Sequence, residues 1–422
     1  MSLDISADLR HIMLGLSLLV GCAAPPPAPE RPAAIRADIN FEQGIAYAVD
    51  DLFIQLQRLP AFAPRSQNQL ERAVGTVLKS TDVEPPRSVI VVDTIIEATT
   101  GQQTRATQLV EQRVYERVRA KFPKFEVSAA LPGAMARAQY LLAATMTPVK
   151  NERGVHRLNM SITEIRSASV IAQAAARIRD DSVDTTPTAF YRDSPALALD
   201  RVIEGQARTA ETAPGKPADS VYLERLPTNA LVNDGLAAFN RDDYAAALPF
   251  YEEAAKRGDG QQLRVYNGLY VSYWNLRRSA EAESAFGRIV ALGLATNNLA
   301  VKFLFKPFGT EFWADPRISG PYPFWLKQIA QQVVAARSCL AVVGHSSRTG
   351  SEQANDRLSL MRAEAIKAKL VAENRALVER IQTSGAGFRE NLIGTGTDDQ
   401  RDSLDRRVEF RVVNCPAGTP AS

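Results

Sequence analysis

Apolar residues along this chain recur with two different spacings, and the switches between them divide it into segments. From Phe41 to Leu59 they fall at Ile45, Val49, Leu52 and Leu56, the stripe of an amphipathic helix. Ser88 to Asp93 is a β-branched run and predicts a buried strand. Helical spacing returns between Thr104 and Lys121, with Leu109, Val110, Val114 and Val118 inward. Phe125 to Val127, Tyr140 to Met146 and His156 to Ile162 then read as strands, and Ser169 to Ala172 opens a last one. Residues 40–182 are thus expected to form one α/β domain.

Residues 183–222 lose this regularity. They are rich in Asp, Thr, Pro, Ala and Ser, with Pro187, Pro195, Pro214 and Pro217, and predict a linker with a short helix from Ala196 to Gln206. Between 223 and 297 a helix-turn-helix beat appears at Gly235, Ala238, Tyr244, Ala247, Tyr251 and Ala254. It recurs at Gly268, Val271, Ala282 and Phe286, with Gly268 thirty-three residues after Gly235. Small residues suit places where helices approach closely, and aromatics fill the gaps between them.

Residues 298–415 predict the order β-α-β-α-β-β, followed by a tail at 416–422. The strands are Val301 to Phe305, Leu340 to Val343, a return beginning between Phe388 and Ile393, and Val408 to Val413; the helices are Trp325 to Ala335 and Ser351 to Glu373. Aromatics at Phe312, Trp313, Tyr322, Phe324 and Trp325 either grip sugar rings or pack beneath the first helix. The run Val342-Val343-Gly344-His345 ends in the polar loop Ser346-Ser347-Arg348-Thr349-Gly350, and Ser351 is a credible helix N-cap. With a step of about 100° per residue, Arg362 falls about 40° from Leu358, on the side of Ile366 and Leu370. An arginine within an apolar stripe needs an acceptor. The choices are an internal ion pair or a socket for an anionic ligand, which the loop amides and helix N-terminus would favour.

The N-terminus carries a nine-residue apolar core, Ile12 to Val20, too short to span a bilayer but suited to an export signal. Ala24 to Pro32 is a proline-rich, stiff spacer within residues 23–39. Fifty Lys and Arg against forty-seven Asp and Glu give +3 over 422 residues, too balanced to argue for nucleic acid. Three scattered histidines predict no histidine metal site. Cys339 opens one strand and Cys415 follows another. If those strands pair antiparallel the two come within bridging reach; otherwise they stay as free thiols.

Leu19-Val20-Gly21-Cys22 resembles the bacterial lipobox, which implies acylation of Cys22; Ala23 in the next position goes with outer-membrane sorting. The stretch from Gly344-His345 through Gly350, Asn355, Leu358-Ser359 and Arg362-Ala363 resembles the OmpA-like cell-wall-binding domain. Gly394-Thr395-Gly396 and Asp405-Arg406-Arg407-Val408-Glu409 match further elements of that family. The resemblance implies peptidoglycan binding, with Arg362 on the carboxylate of diaminopimelate and His345, Ser347, Arg348 and Asn355 around it. The family's aspartate, which holds the ligand's ammonium group, falls on Ser347. Losing one charge-assisted hydrogen bond weakens binding by about ten- to a hundredfold.

The beat at 223–297 resembles tetratricopeptide repeats, whose period is ~34 residues. The order over 40–182, with Asp51 to Leu56 closing its first helix, is similar to the export-assembly lipoproteins that include FlgO, CsgG and LpoB. The expected architecture is therefore multidomain α+β: an α/β domain, central TPR-like hairpins, and an OmpA-like β-α-β-α-β-β sandwich.

No paired carboxylates, Ser-His-Asp set or phosphate-binding loop stands out, so the expectation is a binding protein without a cofactor. Asp93 at a strand end reads either as catalytic or as a turn residue. Two functions follow from the segments. One is a lipid-anchored outer-membrane protein, facing the periplasm, that binds peptidoglycan through Arg362. The other is an envelope scaffold whose repeats recruit protein partners, with little wall binding because of Ser347.

Overall fold

The computed structural model describes residues 38–62 and 87–416, apart from 151, 307, 393–395, 397–401, 403 and 404. The apolar segment 12–20, Cys22 and the proline-rich spacer lie outside the described residues. In the first sheet, β1 (Ser88–Val92) runs parallel to both β2 (Phe125–Ala129) and β3 (Tyr140–Pro148). β4 (Val155–Glu164) and β5 (Ser169–Arg179) extend it antiparallel, in the order β2-β1-β3-β4-β5. Alternation decides which residues meet which layer. Ile90, Val92, Leu142 and Ala144 face α1 (Phe41–Arg58) and α2 (Arg105–Lys121), whereas Val91, Leu141 and Ala143 face the opposite side. Both helices are capped from their own sequence: Asn40 accepts from the Gln43 amide, and Thr104 and Thr107 form a reciprocal box.

The segment predicted as a linker is folded. Its helix α3 (Arg201–Glu211) begins later than the sequence placed it, where Asp200 caps the Val202 and Ile203 amides. It lies on the second face of the sheet, and Ser161 Oγ donates to the Thr209 carbonyl at 2.7 Å. Pro195 is no obstacle, because it sits in an extended stretch where its carbonyl accepts from Lys302 N at 2.9 Å. The Leu197 amide donates to Ala300 O at 3.0 Å, so this stretch borders the second sheet.

The helical beat gives two hairpins: α4 (Leu226–Phe239) with α5 (Tyr244–Lys256), and α6 (Leu263–Asn275) with α7 (Ser279–Ala295). The recurring glycines meet on one ring. A Cβ at Gly235 would lie 2.7 Å from Tyr251 Cζ, and one at Gly268 would lie 2.3 Å from Tyr251 Cδ1. The second hairpin shares its core with the C-terminal module through α8 (Tyr322–Ala335). Phe286 stacks on Trp325 at 5.2 Å, and the Trp325 indole N–H donates to the Tyr270 hydroxyl at 3.1 Å. Tyr322 and Trp325 are therefore core residues, and Phe324 packs against them.

The second sheet has the order β6-β9-β7-β8, from β6 (Leu299–Val301), β7 (Cys339–Gly344), β8 (Ile381–Gly385) and β9 (Val408–Val413). β7 runs parallel to β8 and antiparallel to β9. Cys339 pairs with Val413 in that register, and a disulfide joins Cys339 to Cys415 across a Cα separation of 5.1 Å.

Two sequence expectations are corrected here. The first strand ends at Val301, and residues 302–305 leave the sheet because Phe303 and Phe305 turn to pack on Phe312. The return strand is Ile381–Gly385, not a segment within 388–393; Ile381 is its only fully buried residue, so it carries no apolar alternation.

The clash distances give a stability prediction. Gly268→Ala is expected to lower stability by roughly 1–3 kcal/mol, the usual penalty for overpacking, as read from the urea midpoint. An unchanged midpoint would mean that Tyr251 has room to move.

Candidate functional site

Helix α9 (Glu352–Glu373) buries Asn355, Ser359, Arg362, Ala363, Ile366 and Leu370, one continuous stripe. Two glycines let that stripe reach the strands. A Cβ on Gly344 would lie 2.0 Å from the Ser359 carbonyl, and one on Gly385 would lie 2.5 Å from Ser359 Oγ. The Gly-His pair is thus first a packing requirement. The loop after it is pinned from both ends. The Ser346 amide donates to Gly387 O at 2.9 Å, and Ser351 Oγ caps the Ala354 amide at 3.3 Å. Asn355 Nδ2 donates to the Thr349 and Ser351 carbonyls at 2.9 and 3.1 Å, so it fastens the loop. Ser347 is nearly buried and Arg348 is exposed.

Arg362 is 2% exposed. Its Nε donates to Gly309 O at 3.2 Å and Nη2 to Lys306 O at 3.3 Å. Both acceptors belong to a hairpin that the sequence did not reveal. In it Phe305 bridges Phe312, the Lys306 amide donates to Glu311 O, and the Trp313 amide donates to Leu304 O. The hairpin's inner aromatics lie under two cations of α9: Arg362 sits 5.1 Å from the Phe305 ring and Lys369 5.0 Å from the Phe312 ring. Such contacts contribute about 0.5–2 kcal/mol each. The arginine is therefore held beneath a cover of backbone carbonyls and aromatic rings. A carboxylate arriving at Arg362 has to take the place of those carbonyls, and it offers a stronger, bidentate acceptor.

His345 is fully buried, and its Nε2 lies 3.6 Å from Glu409 Oε2. With Glu390 these groups place one imidazole and two carboxylates within 4.8 Å of one another. Arg407 already engages Glu409 at 2.6 Å, and Arg411 engages Glu390 at 2.7 Å and Glu409 at 3.0 Å. Two guanidinium charges balance the two carboxylates, which leaves little attraction for a metal cation. The spacing Arg407, Glu409, Arg411 was the available signal: period two puts Glu409 and Arg411 on one face of β9, with Arg407 just before its start. His345 thus belongs to a structural ion-pair cluster next to the loop.

Asp93 accepts from Tyr222 Oη at 2.7 Å, from Asn233 Nδ2 at 2.8 Å and from the Thr94 amide at 2.9 Å, all buried. It joins the first sheet to the helical hairpins and is not placed as a catalyst. Asn267 Nδ2 donates to Ala196 O at 3.1 Å, and the Phe190 amide donates to Asn240 Oδ1 at 3.0 Å. Asn267 of α6 and Asn240 just past α4 thus bond to the chain's own 190–196 stretch. No helix among the described residues is long and apolar enough to cross a membrane.

The OmpA family matches residues 316–404, a span that includes Gly344, the loop and Arg362. The chain carries an OmpA-like domain at its C-terminal end. Among solved structures, the peptidoglycan-associated lipoprotein from Burkholderia pseudomallei is 19% identical, with a TM-score of 0.22, over 27% of this chain and 89% of that one. An outer-membrane protein from Borrelia burgdorferi B31 is 21% identical, with a TM-score of 0.21, over 28% and 88%. A MotB-like protein from Desulfovibrio vulgaris is 18% identical, with a TM-score of 0.24, over 34% and 98%. Scores this low carry no argument of their own. No curated protein matches the chain.

The ion-pair cluster sets an acid response. Burial works to raise the Glu409 carboxyl, but the His345 contact and Arg407 outweigh it and hold it far below the usual range. A depressed folded pKa contributes stability that is complete above the unfolded value of about 4.3 and is lost as pH falls below it. Glu409→Gln is therefore expected to be less stable than the wild type at pH 7, with the gap closing below about pH 4. Denaturant midpoints measured from pH 2 to 7 check this; a gap that stays constant would contradict it.

Proposed function

We propose that this chain is a non-enzymatic outer-membrane lipoprotein, tethered through Cys22, that binds diaminopimelate-type peptidoglycan without a covalent link. Lipid at one end and a wall reader at the other would make a mechanical connection across the periplasm. The observation that carries the reading is the family match over the loop and Arg362 together, with Arg362 buried on a glycine-packed helix that begins at the end of loop 346–350. Arg362 takes the diaminopimelate carboxylate in place of the Lys306 and Gly309 carbonyls. Ser347 offers a hydroxyl where the family has a carboxylate, so the ammonium end is held weakly. Asn355 keeps the loop in place, and Arg348 stands exposed at its rim.

A second reading is favoured by the near-complete burial of Arg362 combined with Ser347. The chain is then an envelope scaffold that binds protein partners and touches the wall little. Because the 190–196 stretch already bonds to Asn267 and Asn240, this reading puts docking elsewhere on the hairpins or on the N-terminal domain, whose likeness to the FlgO group is part of it.

Sedimentation with purified sacculi separates the two. Wall binding predicts recovery of the protein in the pellet, release by free diaminopimelic acid, and loss in Arg362→Ala. Ser347→Asp is expected to tighten retention by about tenfold, the size of one charge-assisted hydrogen bond. Recovery insensitive to both diaminopimelic acid and Arg362→Ala would overturn the wall reading and leave the scaffold.

A further inference from the structure

Five large apolar side chains are exposed among the described residues, and three of them, Phe308, Trp313 and Ile318, lie in the hairpin and the short helix Pro316–Ser319 that follows it. Phe308 is the extreme case, 85% exposed at the hairpin tip with a backbone φ of +57°. A bulky L-residue in the left-handed region is an outlier, since glycine or asparagine fits there at lower cost. The chain thus keeps an aromatic ring in water on a strained backbone, and nothing among the described contacts compensates for either. Strain of this kind, held by well-packed surroundings, points to function. The surroundings here are well packed: Phe305 and Phe312 anchor the hairpin's inner face, and Arg362 holds the carbonyls on either side of Phe308.

We infer that Phe308 is a stacking platform for a pyranose ring of the glycan strand. This deepens the wall reading and rests on it. The stem peptide whose carboxylate reaches Arg362 is joined, two residues further on, to an amino sugar, so the tip of the hairpin over Arg362 is offered to the glycan end of the same ligand. The hairpin's outer face fits a sugar better than a lipid. Lys306 and Glu311 form an exposed ion pair there, with side chains 46% and 75% accessible. Those charges can hydrogen-bond to ring hydroxyls, whereas driving the tip into a bilayer would strip them of water. A pyranose offers an apolar face to the ring and polar groups to its edge, matching the aromatic tip and the charged flank.

The test compares the purified protein with Phe308→Ala and Phe308→Gly against three probes: intact sacculi, the free diaminopimelate-containing tripeptide, and vesicles containing phosphatidylglycerol. Both variants are expected to bind sacculi about tenfold more weakly, to bind the tripeptide as the wild type does, and to show no change with vesicles. Phe308→Gly should melt at the same temperature or higher, since glycine suits the positive φ; a structural role for the ring would lower it. Unchanged sacculus binding in both variants, with diaminopimelic acid still competing, overturns the platform and leaves the wall reading standing. Wild-type vesicle binding that Phe308→Ala abolishes, with sacculi unaffected, assigns the tip to a membrane. No sacculus binding by the wild type removes both proposals together.

Discussion

A guanidinium taken out of water must be met by acceptors, and at the candidate site Arg362 makes that demand. The residue shares its helix stripe with Asn355, Ser359, Ala363, Ile366 and Leu370, and acceptors reach it from across the chain, the Lys306 and Gly309 carbonyls among them. The hairpin that Phe303, Phe305 and Phe312 draw off the sheet after Val301 supplies those carbonyls. The aromatic rings of 303–312 line the underside of the two α9 cations. The glycines at 344 and 385 act at the other side, letting α9 settle against the strands at Ser359.

The site is fixed to the rest of the molecule by more than one kind of contact. Phe286, Trp325 and Tyr270 make one core of the second helical hairpin and the OmpA-like module. Asp93, Asn233 and Tyr222 tie the first sheet to the first hairpin through buried hydrogen bonds. A buried carboxylate that loses one such partner costs far more than the bond contributes when made, which makes this junction specific. For a proposed link between membrane and wall, a reader packed against its supports transmits load without a slack joint.

The first sheet was legible because β1 is a buried β-branched run and its helices carry clean stripes, as at Ile45, Val49, Leu52 and Leu56. The helical hairpins were legible because Gly235 and Gly268 must both clear Tyr251. The 183–222 stretch was misread because proline content was taken for looseness, whereas Pro195 serves an extended edge through its carbonyl. β8 was invisible because one buried residue, Ile381, gives no period. At the site, the Arg362 position followed from helix geometry alone. Its cover did not, since backbone carbonyls fifty-odd residues away leave no mark in side-chain chemistry.

The most direct test is a crystal structure of the protein with a saturating diaminopimelate-containing tripeptide. The account predicts a ligand carboxylate within hydrogen-bonding distance of Arg362, with the Lys306 and Gly309 carbonyls moved off its Nη2 and Nε. Arg362 still bonded to both carbonyls, with the tripeptide elsewhere or unbound, would contradict it.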